Sequence, residues 1–326
     1  MSDSKTLYLV LPCFNEEEIL EKSADKALTL VKRLMGEGLI SEMSRILFVD
    51  DGSSDRTWDI IKSLRGQDPV FMGISLSRNY GHQTAIYSGM IYAEEKGADA
   101  VITIDADLQQ DIEAVPEFLK NFNEGCDIVY GVRNSRDTDG FFKRVTAGFY
   151  YKFMKFLGCP LKENSADYRL LSARAIRALS EYKETFLFIR GVVPEMGFKS
   201  ATVYFDVKSR EAGTSKYTLK KMLSLAFDGI TSFSIQPIRI FTLITGGTGL
   251  LVSAVMIILT LIDHFRGVTV PGWSTLTISI WFLGSVQLLS LGVIGEYVGR
   301  TYMESKHRPR YFISGETDGN DDRIPR

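Results

Sequence analysis

The chain has 326 residues and a formal net charge of -2, so it is long enough for about two domains and shows no basic excess that would indicate a nucleic-acid partner. Its cysteines, Cys13, Cys126 and Cys159, have no metal-ligand spacing and no paired framework, which indicates a reducing compartment. The three histidines lie far apart in the sequence, so we expect no zinc site. The opening residues are polar and the apolar run Leu7–Leu11 is short, so we expect no signal peptide.

The first part of the chain alternates short apolar runs with longer helical patterns. We predict strands at Leu7–Leu11, Ile46–Val49, Phe71–Leu76, Val101–Ile104 and Asp127–Gly131. Helical patterns lie between them, for example from about His82 to Lys96 and from about Ile112 to Asn123. Strands that alternate with helices predict a doubly wound, mostly parallel α/β sheet. The chain has neither GxGxxG after the first strand nor a GxxxxGKS loop, so dinucleotide-binding and P-loop folds lack their signatures.

Two of the predicted strands end in pairs of carboxylates, at the edge where open α/β sheets bind their ligands. Asp105 and Asp107 follow the fourth strand and flank one small residue, so they offer hard oxygen ligands suited to Mg²⁺ or Mn²⁺. A solvated turn would also explain them, since aspartate is common after strands. Asp50 and Asp51 follow the second strand and would repel each other unless something compensates them. A nucleoside, whose N–H and O–H groups donate hydrogen bonds, would do so.

Three later features could act at the same edge. Arg133 follows the fifth strand and supplies a cation there. Asp167 lies in a segment with few other acids and is either a general base or the ion-pair partner of Arg169. The loop at 209–216 is basic and contains glycine and hydroxyl groups, which suits an anionic ligand but is also typical of a solvated loop.

The C-terminal part contains two apolar segments without a charged residue. Ile240–Ile262 and Trp273–Gly295 each have 23 residues, enough for a helix across a hydrocarbon core of about 30 Å. The second segment is followed by four basic residues, Arg300, Lys306, Arg308 and Arg310. The positive-inside rule therefore places this tail in the cytoplasm, and two spans return the N-terminal domain to the same side.

Two helical patterns precede the first apolar segment. Residues 141–157 combine apolar residues at helical spacing with lysine and arginine, which is typical of a helix at a membrane surface. Packing against the domain's own core would explain the same pattern. Residues 217–235 are a second candidate for such an interfacial helix.

Four motifs, in this order along the chain, resemble those of family 2 glycosyltransferases with the GT-A fold. They are PCFNEEE at 12–18, VDDGSSDRT at 49–57, DADLQQ at 105–110 and REAGTSK at 210–216. The resemblance covers the chain to about residue 310 and is closest to polyprenyl-phosphate glycosyltransferases of the GtrB type and to dolichol-phosphate mannose synthases. Processive polysaccharide synthases of the same family differ, because their QxxRW motif is absent here.

The resemblance implies roles for residues in these motifs. It implies a nucleotide pocket at Pro12, Phe14, Glu16, Val49 and Asp51, with Phe14 where the mannose synthases have tyrosine. It implies that the metal and the diphosphate are bound by Asp105, Ala106, Asp107 and Gln109. It implies that phosphates are bound by Arg133, Arg210 and Lys216. We expect the catalytic residues to be Asp107, Asp167, Arg210 and Lys216.

The resemblance also implies an activity. We expect inverting transfer of a sugar, glucose from UDP-glucose, to a polyprenyl phosphate such as undecaprenyl phosphate, with Mg²⁺ or Mn²⁺ bound. The enzyme would be a homo-oligomer in a bacterial-type plasma membrane, with its catalytic domain and both termini cytoplasmic. Two alternatives stay open: a GDP-mannose-dependent mannose synthase, and an inactive membrane-anchored binding or scaffold protein. The intact Asp105 and Asp107 argue against the second.

These expectations divide the chain into four regions. Residues 1–208 form a Rossmann-like GT-A catalytic domain, and 209–238 an acceptor loop with a juxtamembrane amphipathic helix. Residues 239–299 form two transmembrane helices, and 300–326 a tail that is first basic and then disordered.

Overall fold

In a computed structural model of the chain, the described residues are 4–134, 165–184, 187–206 and 272–318, with the isolated positions 244, 248, 251, 252 and 255. These residues belong to two compact units. The first contains the described residues up to 206 together with 309–318, and the second contains those from 244 to 308. Every strand among the described residues belongs to the first unit.

The first unit is built on an eight-stranded sheet with the order β7-β5-β6-β4-β1-β2-β3-β8. The strands are β1 Leu7–Cys13, β2 Arg45–Asp50, β3 Phe71–Leu76, β4 Ala100–Thr103, β5 Ile128–Arg133, β6 Ser165–Ser172, β7 Ser200–Phe205 and β8 Ile313–Glu316. Neighbouring strands are parallel except that β6 runs antiparallel to β4 and β5, and β8 antiparallel to β3. The predicted α/β class, its mostly parallel sheet and all five predicted strands are confirmed.

The helices follow the strands in the alternating order that the sequence predicts. They are α1 Leu20–Gly36, α2 Thr57–Gln67, α3 His82–Glu95, α4 Val115–Asn123, α5 Ala173–Ser180, α6 Ile189–Glu195 and α7 Trp273–Ser305, with a 3₁₀ turn at Ile112–Ala114 before α4. The first six lie in the sheet-containing unit and α7 lies in the second unit.

Strand β1 lies at the centre of the core. All seven of its residues are buried, as expected for a parallel strand covered on both faces. Helix α3 packs closely against it at Gly89, where an added Cβ atom would lie 2.5 Å from Val10 Cγ1 and 2.7 Å from Val49 Cγ2. This close packing holds α3 against β1 and β2, and so places the first turn of α3 at the carboxyl ends of the parallel strands.

The sequence patterns did not predict strand β6. Its sequence SADYRLLS interrupts the apolar pattern with Asp167 and Arg169, which are both buried. Residues two apart in a strand share a face, so these two side chains meet, while Tyr168 faces the opposite side. The Tyr168 ring there packs against Phe118 and Phe205, with centroid separations of 4.6 Å and 5.1 Å.

The C-terminal tail contributes the last strand. Strand β8 pairs with β3, and the Ser77 N–H donates to Phe312 O at 2.9 Å. Beyond it, Thr317 exchanges hydrogen bonds of 2.9 Å and 3.0 Å with the backbone of Gly73. The expectation of a disordered tail is therefore wrong for its described residues at 311–318, because their backbone forms hydrogen bonds with the backbone of β3.

Helix α7 contains the whole of the predicted second apolar segment and is 33 residues long. Within the described ranges, no helix combines the length and the apolar character that a membrane span requires. The first predicted span at 240–262 lies outside the described residues apart from five helical positions, and the predicted amphipathic helices at 141–157 and 217–235 lie outside them altogether.

A tight turn after β2 brings the next loop close to the sheet. Gly52 has φ +67°, and an added Cβ atom would overlap the backbone of Arg78 and lie 2.7 Å from the Asn79 nitrogen. The residue is therefore required both for its left-handed backbone and for the approach of the loop at 77–81.

We predict that Gly52→Ala destabilises the full-length chain more than Gly38→Ala does. Both glycines have φ +67°, but at Gly38 no described residue apart from its chain neighbours has an atom within 4 Å of the position that a Cβ atom would take. Gly38→Ala should cost only the left-handed strain of about 1–2 kcal/mol, whereas Gly52→Ala adds overpacking of about 1–3 kcal/mol. Urea unfolding followed by circular dichroism measures both. Equal losses in the two variants would show that the close approach at Gly52 contributes nothing.

Candidate active site

Polar side chains from several elements meet at one edge of the sheet. Asp51 follows β2, Asp105 and Asp107 follow β4, and Asp167 lies near the start of β6. Because β6 is antiparallel to β4, its beginning lies at the edge where the parallel strands end. The first turn of α3 adds His82, whose Nε2 lies 3.5 Å from an Asp105 carboxylate oxygen and 3.4 Å from an Asp167 oxygen.

The two adjacent aspartates at the end of β2 accept hydrogen bonds from other groups of the protein. Asp50 accepts the Ser75 hydroxyl at 2.8 Å and the Ser53 N–H at 3.1 Å. Asp51 accepts the N–H groups of Tyr80 and Gly81 at 2.7 Å and 2.9 Å. Backbone and hydroxyl donors of the protein therefore compensate these charges without a nucleoside. The implied role of Asp51 toward the base and ribose stays a prediction.

The environment of Asp51 opposes its ionisation. Burial raises the pKa of this carboxyl group above its ordinary value, and the hydrogen bonds from the Tyr80 and Gly81 N–H groups only partly offset the effect. Asp51 thus holds the backbone of the loop at 77–81 beside the carboxyl end of β2. In that loop, the Arg78 guanidinium carbon lies 4.2 Å from the centre of the Tyr80 ring.

The turn after β4 displays the carboxylates predicted to bind a metal. Asp105 accepts a hydrogen bond from Gln110 Nε2 and lies beside His82. Asp107 is exposed and accepts the Gln109 N–H at 3.2 Å. Burial raises the pKa of Asp105, and the negative charges of Asp167 and Asp107 add to this rise while His82 opposes it. A bound cation would relieve this accumulation of negative charge.

Asp167 is the most constrained carboxylate of the site. Its Oδ1 accepts Arg169 Nη2 at 2.8 Å and Arg190 Nε at 2.9 Å, and its Oδ2 accepts Arg190 Nη2 at 2.7 Å. Burial opposes its ionisation, but hydrogen bonds from Arg190 and His82 and the charges of both arginines hold its pKa well below the ordinary value. A carboxylate held ionised in this way is a weak proton acceptor, which favours the ion-pair alternative over a general base.

His82 is held between two carboxylates. Burial alone would lower the pKa of this imidazole, but the hydrogen bond to Asp167 and the charge of Asp105 outweigh it and raise the pKa. The two carboxylates therefore stabilise the imidazolium form relative to a histidine in water, and His82 links the turn after β4 to the beginning of β6.

The remaining predicted residues have different degrees of access to this edge. Phe14 is 42% exposed just beyond β1, whereas Val49 is fully buried within β2. Pro12 and Ala106 are buried and Glu16 is partly buried. Arg133 is exposed at the end of β5, two strands from β4 in the sheet. Arg210 and Lys216 lie outside the described residues.

Sequence reasoning did not identify His82, Gln83 or Arg190 as parts of the site. The available signal was the polar start of α3 immediately after a strand and a glycine-containing loop, a common location for ligand contacts. Arg190 carried no such signal, because α6 lies far along the chain and meets Asp167 only in the folded protein.

Two buried polar atoms of the site lack a hydrogen-bond partner in the described part of the chain. They are Gln83 Oε1 and Gln109 Nε2. Buried polar atoms in native proteins are nearly always satisfied, so these two indicate that a ligand or water completes the site.

The donor chemistry of the turn fits a hard divalent cation. Asp105 and Asp107 supply carboxylate oxygens, and Mg²⁺ sites need only one or two carboxylates when substrate phosphates supply other ligands. No group of three or more histidine, cysteine, aspartate or glutamate side chains forms a metal cage among the described residues.

A mostly parallel α/β sheet, with carboxylates and the paired guanidinium groups of Arg169 and Arg190 at its carboxyl edge, is a GT-A-like enzyme fold. The family model for glycosyl transferase family 2 matches residues 8–180, so the chain belongs to this family and is a glycosyltransferase.

Similar proteins agree with this family. The chain is 50% identical over 94% of its length, and 90% of the relative, to the uncharacterized glycosyltransferase YkoT of Bacillus subtilis. It is 39% identical over 94% of its length, and 98% of the relative, to the bactoprenol glucosyl transferase of Shigella phage SfV. The solved glucosyl-3-phosphoglycerate synthase of Mycobacterium tuberculosis is 19% identical, with a TM-score of 0.45 over 70% of this chain and 79% of that one, a likeness too distant to bear on function.

We predict that Asp167→Asn destabilises the full-length chain by about 3–5 kcal/mol, because it leaves the guanidinium groups without their buried counter-charge. The control Glu113→Gln breaks the exposed pair of 2.6 Å with Arg33 and should cost at most about 1 kcal/mol. Urea unfolding measures both variants. A loss in Asp167→Asn no larger than in the control would contradict the proposed importance of the buried charge.

We also predict a pH dependence of that difference. Because the pKa of Asp167 is depressed, its contribution is fully present above the pKa of an unfolded aspartate, about 3.9. The contribution is lost as the pH falls through the folded-state pKa. The stability difference between wild type and Asp167→Asn should therefore be smaller at about pH 3 than at about pH 7. A constant difference would show that the ionised form is not the stabilising one.

Proposed function

We propose that this glycosyltransferase transfers glucose from UDP-glucose to the phosphate group of a polyprenyl phosphate such as undecaprenyl phosphate. The observation that carries the proposal is the similarity, over nearly the whole chain, to a relative named bactoprenol glucosyl transferase. The geometry supports it, because Asp105 and Asp107, two carboxylates suited to a cation, follow β4 at the edge where α/β sheets bind ligands. At the same edge, His82 lies 3.5 Å from Asp105.

The acceptor explains why the site needs no strong general base. A phosphomonoester has a second pKa of about 6 and is therefore largely anionic at neutral pH. Its oxygen can attack C1 of the glucose as the bond from C1 to the diphosphate breaks on the opposite face, so the anomeric configuration inverts. Asp167, held ionised by two arginines, would then organise the site and not accept a proton.

The main requirement is to balance negative charge. The diphosphate leaving group and the acceptor phosphate repel each other, and cations must offset this repulsion. Asp105 and Asp107 would hold Mg²⁺ or Mn²⁺, and such a cation would stabilise the leaving diphosphate when bound. The predicted phosphate ligands Arg133, Arg210 and Lys216 would supply further positive charge.

We also propose that the C-terminal part of the chain lies in a membrane, since the acceptor is a lipid. This proposal rests on the two charge-free segments of 23 residues in the sequence and on the basic residues after the second. Along α7, four large apolar side chains are at least 61% exposed, as expected for a surface that contacts lipid or another protein; they are Leu276, Ile280, Leu291 and Val298. The catalytic domain and both termini would be cytoplasmic, and assembly as a homo-oligomer stays a prediction.

The direct test is a transfer assay with full-length protein, undecaprenyl phosphate and a panel of donors. UDP-glucose should give glucose-linked undecaprenyl phosphate and free UDP. EDTA should stop this reaction, and added Mg²⁺ or Mn²⁺ should restore it. Transfer from GDP-mannose alone would favour a mannose synthase. Absence of transfer from every UDP- and GDP-sugar would favour a binding or scaffold protein.

We predict that Asp107→Asn lowers kcat/KM by at least about tenfold, since it removes one charge from a hard-cation site. The protein should remain folded, because Asp107 is exposed. Asp59→Asn is the matched control, as Asp59 is an exposed aspartate on α2 that pairs with Lys62 at 2.9 Å. Turnover of Asp107→Asn equal to that of the control at ordinary metal concentration would remove Asp107 from the site.

Topology gives a separate prediction. In a variant whose three native cysteines are replaced by alanine, Gly267→Cys lies in the loop between the two apolar segments and Asn320→Cys in the tail. A membrane-impermeant thiol reagent added to intact cells should label the first and not the second. Labelling of the tail cysteine alone would reverse the proposed orientation and separate the domain from cytoplasmic nucleotide sugars.

A further inference from the structure

The Gln83 side chain presents a buried acceptor to the active site. Gln83 lies in the first turn of α3, and its Nε2 donates to Asp167 Oδ2 at 3.2 Å. Its Oε1 is buried and has no hydrogen-bond partner within the described residues. A buried carbonyl oxygen without a donor is costly, so its presence requires an explanation.

The orientation of this amide is dictated by Asp167. Two arginines donate to the Asp167 carboxylate and keep it ionised, so it can only accept hydrogen bonds. Rotating the Gln83 amide by 180° would place two acceptor oxygens about 3.2 Å apart, where they would repel each other. The NH₂ group must therefore face Asp167, and Oε1 must face away from it as an acceptor.

The surroundings define the kind of donor that is missing. The neighbouring cations Arg169 and Arg190 donate to Asp167, and His82 lies between Asp167 and Asp105. Ionised phosphate oxygens accept hydrogen bonds and cannot supply one. A hydroxyl group can, and a sugar carries several.

The position agrees with a sugar. In the proposed function, Asp105 lies at the diphosphate, to which the transferred sugar is attached. His82, the residue next to Gln83 in α3, lies 3.5 Å from Asp105. Gln83, which contacts Asp167, and His82, which contacts both Asp167 and Asp105, therefore lie where the sugar of the donor would be bound.

We propose that Gln83 Oε1 accepts a hydrogen bond from a hydroxyl group of the donor sugar, which makes Gln83 a residue that determines sugar specificity. This inference rests on the proposed function, because it takes the site to hold a nucleotide sugar. A site that binds a substrate hydroxyl through a buried acceptor discriminates against an analogue lacking that hydroxyl.

The test compares UDP-glucose with its 2-, 3-, 4- and 6-deoxy analogues in the full-length enzyme. We expect at least one analogue to have a kcat/KM lower than that of UDP-glucose by about tenfold or more in the wild type. In Gln83→Met, which keeps the length of the side chain and removes its polar atoms, that gap should shrink below about threefold. UDP, which lacks the transferred glucose, should bind the variant as tightly as it binds the wild type.

The matched control is Gln67→Met, since Gln67 is an exposed glutamine at the end of α2. It should keep the wild-type discrimination for every analogue. If Gln83→Met does not fold, as judged by circular dichroism, Gln83→Leu replaces it. The wild-type panel needs no variant and would overturn the proposal if no analogue is discriminated against.

The outcomes separate this inference from the proposed function. A wild type that uses all deoxy analogues as well as UDP-glucose would overturn the hydroxyl contact, because no sugar hydroxyl would then contribute to recognition. So would a Gln83→Met variant that loses activity equally for every donor, since that is the result of a purely structural role. If UDP-glucose is not a donor but another nucleotide sugar is, the proposed donor fails, and the deoxy analogues of the active sugar test Gln83 in the same way.

Discussion

The buried carboxylate of Asp167 is the interaction on which the rest of the active site depends. It joins three elements that are distant in sequence: its own strand through Arg169, helix α6 through Arg190 and helix α3 through Gln83. A charge in such a place is tolerated only when it is paired and hydrogen-bonded on every side. The ionised carboxylate of Asp167 therefore ties the first turn of α3 and the N-terminal end of α6 to the beginning of β6.

This arrangement suits a reaction in which charge, and not proton transfer, is the main difficulty. Transfer to a hydroxyl group would require a general base that is ready to accept a proton. Asp167 is unsuited to that role, because two guanidinium groups stabilise its anion and hold its pKa low. An acceptor that arrives already anionic, such as a lipid phosphate, needs cations and a well-held leaving group, and the site is organised around such charge pairing.

The same use of carboxylates appears at the end of β2. Asp50 and Asp51 satisfy backbone N–H and hydroxyl groups that would otherwise be without partners in a tightly packed turn and loop. Gly52 allows the loop at 77–81 to approach, and Asp51 then holds the backbone at its end. Acidic residues at strand ends can therefore stabilise the loops around a binding site through hydrogen bonds within the protein, independently of any contact with a ligand.

The sequence by itself determined the α/β class, the five strands that alternate with helices and the edge at which the acidic residues gather. These features follow from local patterns of apolar residues and turns, which act over a few residues. Only the tertiary structure decided that β6 runs antiparallel between β5 and β4, and that the C-terminal tail adds β8 to the sheet. It also decided that Asp167 is held by Arg190 and orients Gln83. These contacts join residues that are far apart in the chain. Their strength depends on the burial of both partners in the folded protein, which local sequence patterns do not predict.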